Sequence, residues 1–174
     1  MTEIIENIFS QKAPSHHDIP KLDLYMDQII SLFNEMLQDD KRHDDDKLMT
    51  KAMINNYSKA GLIDPVKGKK YNREQILQML LIYRLKNTLS MQDIKKVVTP
   101  LYEQNFSIEE IYDQVTTLKD QQNDQTKAMI ESFMQTEELD LNQDIDRFLL
   151  IIYLSSLSQQ VTRMVEKIID TYYD

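Results

Sequence analysis

The chain has 174 residues, a hydrophobic content of 41% and a formal net charge of −9. It contains no cysteine, which excludes disulfides, thiolate nucleophiles and cysteine-ligated zinc. Its two glycines are too few for a glycine-rich phosphate loop or for the many turns of an all-β fold. The composition therefore favours a mainly helical protein.

The N-terminal part predicts an irregular segment followed by one amphipathic helix. Residues 1–20 include Pro14 and Pro20 and show little periodicity, so we predict a loosely packed arm. The acidic start does not have the basic and apolar segments of a signal peptide. Over 22–38, apolar residues at spacings of three and four predict a helix, and residues 39–47 predict an exposed polar loop.

The middle of the chain predicts a helix, a small β-wing and a second helix. The first helix is predicted over 48–59, because Gly61 is typical of a helix end. Residues 62–71 place proline and glycine between short apolar and basic stretches, which predicts a turn or small wing. Asn72 with Gln75 forms a capping-box pattern that opens a helix over 73–87.

Five further helices are predicted towards the C-terminus. Ser90 with Asp93 repeats the cap pattern, and Thr99-Pro100 suggests the cap and first turn of another short helix. The predicted spans are 91–98, a short helix from 100, 108–116, 118–135 and 143–172. The helix over 118–135 is polar, whereas the helix over 143–172 is largely apolar.

The last predicted helix carries the longest apolar run of the chain, residues 148–154. This run is apolar nearly all round, so we expect the middle of the helix to be buried on several sides. Beyond it a narrower apolar stripe suits packing on the domain or on a second chain. The run is far shorter than the roughly 20 residues of a membrane span.

Charge is distributed unevenly along the chain. Residues 47–100 carry 11 basic and 3 acidic side chains, a net charge of +8, whereas residues 1–46 carry −7 and residues 101–174 carry −10. Such asymmetry suggests a local electrostatic task such as nucleic-acid binding. The alternative is that the basic block pairs with the acidic ends of its own chain.

Residues 50–98 combine several features in chain order: Tyr57, Gly61-Leu62, Lys69-Lys70-Tyr71, the apolar spacing of residues 76–85, and Leu89-Ser90 with Ile94. In this order the segment resembles the DNA-binding domain of MerR-type regulators. The resemblance implies a winged helix-turn-helix that docks on DNA in a bacterial cell. The chain also resembles, over most of its length, an uncharacterised bacterial family defined as a domain of unknown function, which implies no activity.

The residue chemistry agrees with a DNA-binding surface. Asn55 and Asn56 suit base edges, because asparagine can bond adenine in two places. Lysine and hydroxyl side chains suit phosphates, which position a protein on DNA without specifying sequence. The phosphate-binding candidates are Thr50, Lys51, Tyr57 and Lys59 on the helix, and Lys67, Lys69, Lys70, Tyr71 and Arg73 at the wing. The alternatives are a solvated polar face for the amides and lysines and core packing for Tyr57.

The segment also departs from the MerR pattern. Asn56 stands where those regulators usually carry arginine, and Lys69-Lys70-Tyr71 replaces their glycine-tyrosine-arginine. A long loop with Asp44, Asp45 and Asp46 separates the two helices of the motif, and these charges must point away from phosphate. The rival hypothesis is therefore a protein-interaction module with a winged-helix fold that does not bind DNA.

We therefore expect an all-α fold with a small β-wing, namely a MerR-like winged helix-turn-helix followed by a helical C-terminal region. Three segments are predicted: an arm (1–20), the winged domain (21–100) and an acidic effector or dimerisation region (101–174). The expected partners are double-stranded DNA and, through the last helix, a second copy. We expect no metal, cofactor or catalysis, because the histidines and serines show no catalytic or metal-binding spacing. We expect a cytoplasmic location without membrane contact, because the sequence has no cysteine, no signal-peptide pattern and no apolar run long enough to span a membrane.

Overall fold

A computed structural model describes residues 2–66, 68–104 and 106–173. These residues form seven α-helices and two very short β-strands, which confirms the mainly helical class. The elements are α1 (Thr2–Phe9), β1 (Leu24–Tyr25), α2 (Met26–Met36), α3 (Lys51–Ala60), β2 (Lys70–Tyr71), α4 (Arg73–Leu85), α5 (Met91–Glu103), α6 (Ile108–Thr136) and α7 (Asp144–Tyr172). Single turns of 3-10 helix lie at His16–Asp18 and Gln38–Asp40.

The chain forms two compact units. One consists of residues 14–116, and the other combines residues 1–13 with 117–174. These bounds differ from the predicted segments 1–20, 21–100 and 101–174, whose assignment to separate roles stays a prediction. The first unit is called the central unit below, and the second the terminal unit.

Helix α4 is the centre of the central unit. It begins at the capping box predicted from the sequence, in which Asn72 Oδ1 accepts the Gln75 N–H at 2.9 Å and Gln75 Oε1 accepts the Asn72 N–H at 2.8 Å. All nine residues from 75 to 83 are buried. A helix that is buried all round must be enclosed by other elements, and buried side chains of α2, α3, α5 and α6 belong to the same unit.

The beginning of the central unit is tied to α6. The Tyr112 hydroxyl donates to the Pro14 carbonyl at 2.9 Å, and His16 Nδ1 is hydrogen-bonded to Asp113 Oδ1. The Ile19 side chain is only 1% exposed. Residues 14–19 are thus a packed part of this unit rather than a loose arm.

The two strands form one antiparallel pair, with Leu24 opposite Tyr71 and Tyr25 opposite Lys70. The segment predicted as a wing, residues 62–71, therefore contributes one strand, and the partner strand comes from 46 residues earlier in the chain. In its described residues the segment does not form a hairpin of its own.

The terminal unit has a separate small core. Ile5 of α1, Ile130 of α6 and Leu150 of α7 are buried together, with Phe133, Met134 and five other partly buried apolar side chains packed against them. The prediction that residues 1–20 form a loose arm is wrong for α1, because Ile5 and Phe9 pack in this core. The Lys127 ammonium also pairs with the Glu6 carboxylate.

Two predicted helix boundaries are absent. Pro100 lies inside α5, which continues to Glu103 although proline cannot donate the hydrogen bond of a helix interior. Residues 108–136 form one helix instead of two, and no glycine or proline interrupts them. The helix predicted over 143–172 is confirmed as α7. Within the described ranges, no helix combines the length and the apolar character needed to cross a membrane.

Candidate nucleic-acid interface

Helix α3 has well-defined ends. Thr50 precedes the helix, and its Oγ1 accepts the backbone N–H of Met53 at 3.2 Å. Gly61 follows the helix with a φ of +69°, a left-handed conformation in which residues other than glycine are strained. The N–H groups of Gly61 and Leu62 satisfy carbonyls of the last turn.

The exposed side of α3 is polar. Ile54 and Tyr57 face the core, whereas four predicted DNA-binding side chains are exposed: Lys51, Asn55, Asn56 and Lys59. At 3.6 residues per turn these four positions fall within about 140° of arc. The structure thus places the two amides on one stripe with the two lysines.

The segment that follows α3 is anchored by two buried glutamines of α4. The Gln78 side chain accepts the Asp64 N–H at 2.9 Å and donates to the Asp64 carboxylate at 3.0 Å. The Gln75 amide nitrogen donates to the carbonyls of Asp64 and Pro65 at 3.1 and 3.2 Å. Because β2 ties the other end of the segment to β1, both ends of residues 64–71 are held.

The two described lysines of this segment are exposed. Lys69 and Lys70 extend into solvent, and the Lys70 ammonium lies 4.9 Å from the centre of the Tyr25 ring. Gly68 between the two held ends has a φ of +82°. Lys67, another predicted phosphate ligand, lies outside the described residues.

A further cation joins α3 from another helix. The Lys95 ammonium of α5 lies 3.6 Å from the position that a Cβ atom at Gly61 would occupy. A cation there interacts favourably with the carbonyl end of α3. Lys95 was not among the predicted DNA-binding residues, because spacing along the chain does not reveal that α5 approaches the end of α3. Its place in the basic segment 47–100 was the only available signal.

Three predicted site residues are held inside the fold. Tyr57 is 3% exposed and Tyr71 is 6% exposed. The Tyr57 hydroxyl has no hydrogen-bond partner among the described residues, and burial raises its pKa to about 12. Arg73 donates to the His16 carbonyl at 2.7 Å, and its Nε lies 3.1 Å from the Glu109 carboxylate. These side chains support the surface rather than forming it.

Two acidic side chains near the candidate surface, Asp27 and Asp46, already have partners within the fold. Lys51 forms an ion pair with Asp27 at 2.7 Å, but both side chains are well exposed, so the pair contributes little to stability. The Asp46 carboxylate accepts the backbone N–H groups of His43 and Arg42, each at 3.0 Å. The His43 N–H is the main cause that lowers the Asp46 pKa. Asp46 therefore turns into its own loop.

The central unit coincides with a protein family. A family profile described as "Domain of unknown function (DUF1836)" matches residues 14–115, more than half of the chain. The chain belongs to the DUF1836 family. The match begins at Pro14 and ends one residue before the end of the compact unit, so the family definition and the packed central unit describe the same domain.

The DUF1836 match confirms the resemblance to an uncharacterised family and locates it in the central unit. No match was found among curated proteins or among solved structures. Within the described part of the chain, no three histidine, aspartate or glutamate side chains are grouped where they could hold a metal ion. The polar side of α3 and the exposed Lys69 and Lys70 of the segment that follows it are the candidate site of the DUF1836 domain.

Proposed function

We propose that the DUF1836 domain binds double-stranded DNA as a MerR-like transcription regulator, with α3 as the helix that enters the major groove. The observation that carries this proposal is the exposed stripe of α3, in which Asn55 and Asn56 lie between Lys51 and Lys59. Amide side chains on a helix can read base edges, and flanking lysines can neutralise phosphates.

The surroundings of α3 support the same function. The segment 64–71 is anchored at both ends and presents Lys69 and Lys70 to solvent, as a wing that contacts a DNA backbone requires. Lys95 adds a cation beside the C-terminal end of α3. Tyr57, Tyr71 and Arg73 hold the scaffold in this proposal and do not contact DNA.

The charge of the whole chain sets the expected binding behaviour. A net charge of −9 opposes approach to DNA, while residues 47–100 carry +8. Binding then depends on local contacts between lysines and DNA phosphates. These contacts weaken steeply as the salt concentration rises, because salt cations compete for the phosphates. We expect affinity to fall by at least tenfold between about 50 and about 200 mM salt, as is typical of proteins that contact several phosphates.

Fluorescence anisotropy of the full chain with labelled mixed-sequence duplex DNA tests the proposal. The double variant Lys69→Glu/Lys70→Glu should lose binding at low salt. Lys12→Glu/Lys167→Glu makes the same charge change at exposed sites of the terminal unit and should retain most of the affinity. Absence of wild-type binding at low salt, or equal losses for both variants, would contradict DNA binding at this surface.

A second pair of variants separates base contacts from phosphate contacts. Asn55→Ala/Asn56→Ala should reduce the preference among DNA sequences selected from a random pool while leaving non-specific affinity and its salt slope nearly unchanged. Lys59→Ala should weaken binding to all sequences and lower the salt slope by about 1. If the amide variant weakens all sequences equally, α3 does not read bases.

The rival function is a protein-interaction module in which the same fold does not bind DNA. The Lys51–Asp27 ion pair and the internal position of three predicted ligands favour it, because they remove side chains from the candidate surface. This alternative predicts that the chain captures a protein partner in nuclease-treated extract, and that Lys69→Glu/Lys70→Glu abolishes this capture.

A further inference from the structure

The first half of α7 has an exposed apolar side. Leu150 faces the core of the terminal unit, whereas five large neighbours are 45–61% exposed: Ile145, Phe148, Leu149, Ile151 and Ile152. These five residues are called the α7 patch below. The expectation that residues 148–154 are buried on several sides is wrong for the single chain, because the described residues cover only one side of them.

Four of the five residues of the α7 patch lie in a segment without charge, and Ile145 lies between Asp144 and Asp146 just before it. Residues 148–162 include no acidic or basic side chain, although 28% of the chain is charged. A nucleic acid or a strongly charged protein would need complementary charges at its contact surface. Homodimer interfaces are instead apolar and depleted of charge at their core. For a chain with a net charge of −9, a surface without charge is also where two copies repel each other least.

The area of the patch is close to what a homodimer requires. Five large side chains that are about half exposed present on the order of 400 Å² of apolar surface. An interface of standard size covers about 800 Å² on each partner, of which about two thirds is apolar in homodimers. The patch therefore supplies most of the apolar area of such an interface from one copy.

We propose that the α7 patch is the dimerisation surface of this protein, and that a second copy of the chain covers it. The two α7 helices cross in antiparallel orientation about a two-fold axis near Leu149, so that Phe148 and Ile152 of each copy contact the patch of the other. Such self-complementary contacts are typical of two-fold dimers.

Charge selects the antiparallel orientation. The first turn of α7 carries Asp144 and Asp146. In a parallel pair these carboxylates would lie beside their own counterparts. In the antiparallel pair the two Asp144 residues are about 15 Å apart along the helices and the two Asp146 residues about 9 Å apart, both beyond the screening length of about 8 Å, and each acidic turn lies beside uncharged residues 152–154 of the other copy.

Sedimentation velocity and light scattering of the full chain test this inference without any use of DNA binding. The wild type should have twice the 20.7 kDa chain mass at micromolar concentration. Phe148→Glu/Ile152→Glu should have the mass of one chain and an unchanged helical circular dichroism spectrum. Val161→Glu/Met164→Glu alters exposed apolar residues of the same helix outside the patch and should remain dimeric.

The absence of cysteine provides an independent readout. Leu149→Cys should form an intermolecular disulfide under mild oxidation, because a two-fold axis near this position brings the two Cα atoms within the 4.4–6.8 Å that a disulfide spans. Met164→Cys is also exposed and should remain monomeric on a non-reducing gel.

A monomeric wild type at about 100 µM, or equal crosslinking of both cysteine variants, overturns the proposal. A monomeric wild type would mean that a different protein, and not a second copy, covers the α7 patch. If the glutamate variant unfolds, the Leu149→Cys and Met164→Cys comparison decides the question by itself. A dimer that fails to bind DNA would disprove the proposed function only, whereas a monomer that binds DNA would disprove only the dimer.

Discussion

Helices α4 and α7 each carry a long apolar run, but this run is buried in α4 and largely exposed in α7. All nine residues from 75 to 83 of α4 are buried, including two glutamines. In α7, only Leu150 and Ile169 are buried among its 29 residues. An apolar run therefore predicts that a surface will be covered, but it does not show whether the same chain supplies the cover.

The burial of α4 and α7 differs because different numbers of elements surround the two helices. The central unit surrounds α4 with other helices and even satisfies the buried amides of Gln75 and Gln78 with the backbone of residues 64 and 65. The terminal unit offers α7 one core, formed with Ile5 and Ile130. The side of α7 opposite this core has no partner within the described residues of its own chain, which is why we assign it to a second copy.

The largest expected difference between the two helices concerns truncation of a leucine. Leu77→Ala in α4 should lower the free energy of unfolding by about 2–5 kcal/mol, because it leaves a cavity around a side chain that is fully buried. Leu149→Ala in α7 should change it by less than about 0.5 kcal/mol, as exposed substitutions do. Urea denaturation at submicromolar concentration, where the proposed dimer dissociates, provides the measurement. Equal losses would show that the α7 patch is packed within the single chain.

A smaller effect is expected for the glutamines that distinguish α4. Gln78→Leu keeps a similar volume but leaves the Asp64 N–H and carboxylate without their present partner, at a cost of about 1–3 kcal/mol. Gln159→Leu on the exposed side of α7 should be neutral within about 0.5 kcal/mol. Thermal unfolding of both variants tests the contrast, and a neutral Gln78→Leu would mean that residues 64–71 are not anchored through α4.

Gly61 controls how the chain leaves α3 and approaches α4. Gly61→Ala should destabilise the central unit by about 1–2 kcal/mol, because alanine is strained at a φ of +69°. Gly61→Asn should lose less, since asparagine tolerates the left-handed conformation better. Chemical denaturation distinguishes the two. Equal losses would contradict the explanation by backbone strain, since a Cβ atom at residue 61 would make only an ordinary contact with Lys95.

The smallest effect concerns a tyrosine hydroxyl and depends on pH. Tyr57 is buried and its pKa is raised from 10.0 to about 12, so the folded state holds this proton more tightly than the unfolded state. The contribution of the Tyr57 hydroxyl to the free energy of unfolding is complete below pH 10 and is lost as the pH rises towards 12. Tyr57→Phe should therefore reduce the alkaline loss of stability, and should be neutral or slightly stabilising at pH 7, because the hydroxyl has no hydrogen-bond partner among the described residues.

Tyr172 on α7 provides the control for this measurement. Its side chain is 78% exposed, so Tyr172→Phe should not change the pH dependence of unfolding. Denaturant melts of both variants between pH 8 and pH 11 provide the comparison. An unchanged slope for Tyr57→Phe would show that the Tyr57 hydroxyl reaches solvent.

Part of the candidate site was predictable from residues alone. Gly61 ends α3 as predicted, but α3 begins at Lys51 rather than at residue 48, because Thr50 is its N-cap. Other parts were not predictable. The contact of Arg73 with Glu109 and the approach of Lys95 to Gly61 join residues that are distant in the chain, and no local pattern encodes such distances.

The sequence by itself determined the helical class, the caps at Asn72 and Ser90, and the extent of the last helix, since these depend on interactions between residues a few positions apart. Tertiary structure alone decided that residue 5 enters a core, that β1 and β2 pair across the central unit, and that α7 keeps an apolar side exposed. Burial and long-range pairing depend on which elements meet in space, and apolar periodicity states only that some surface must cover a side chain.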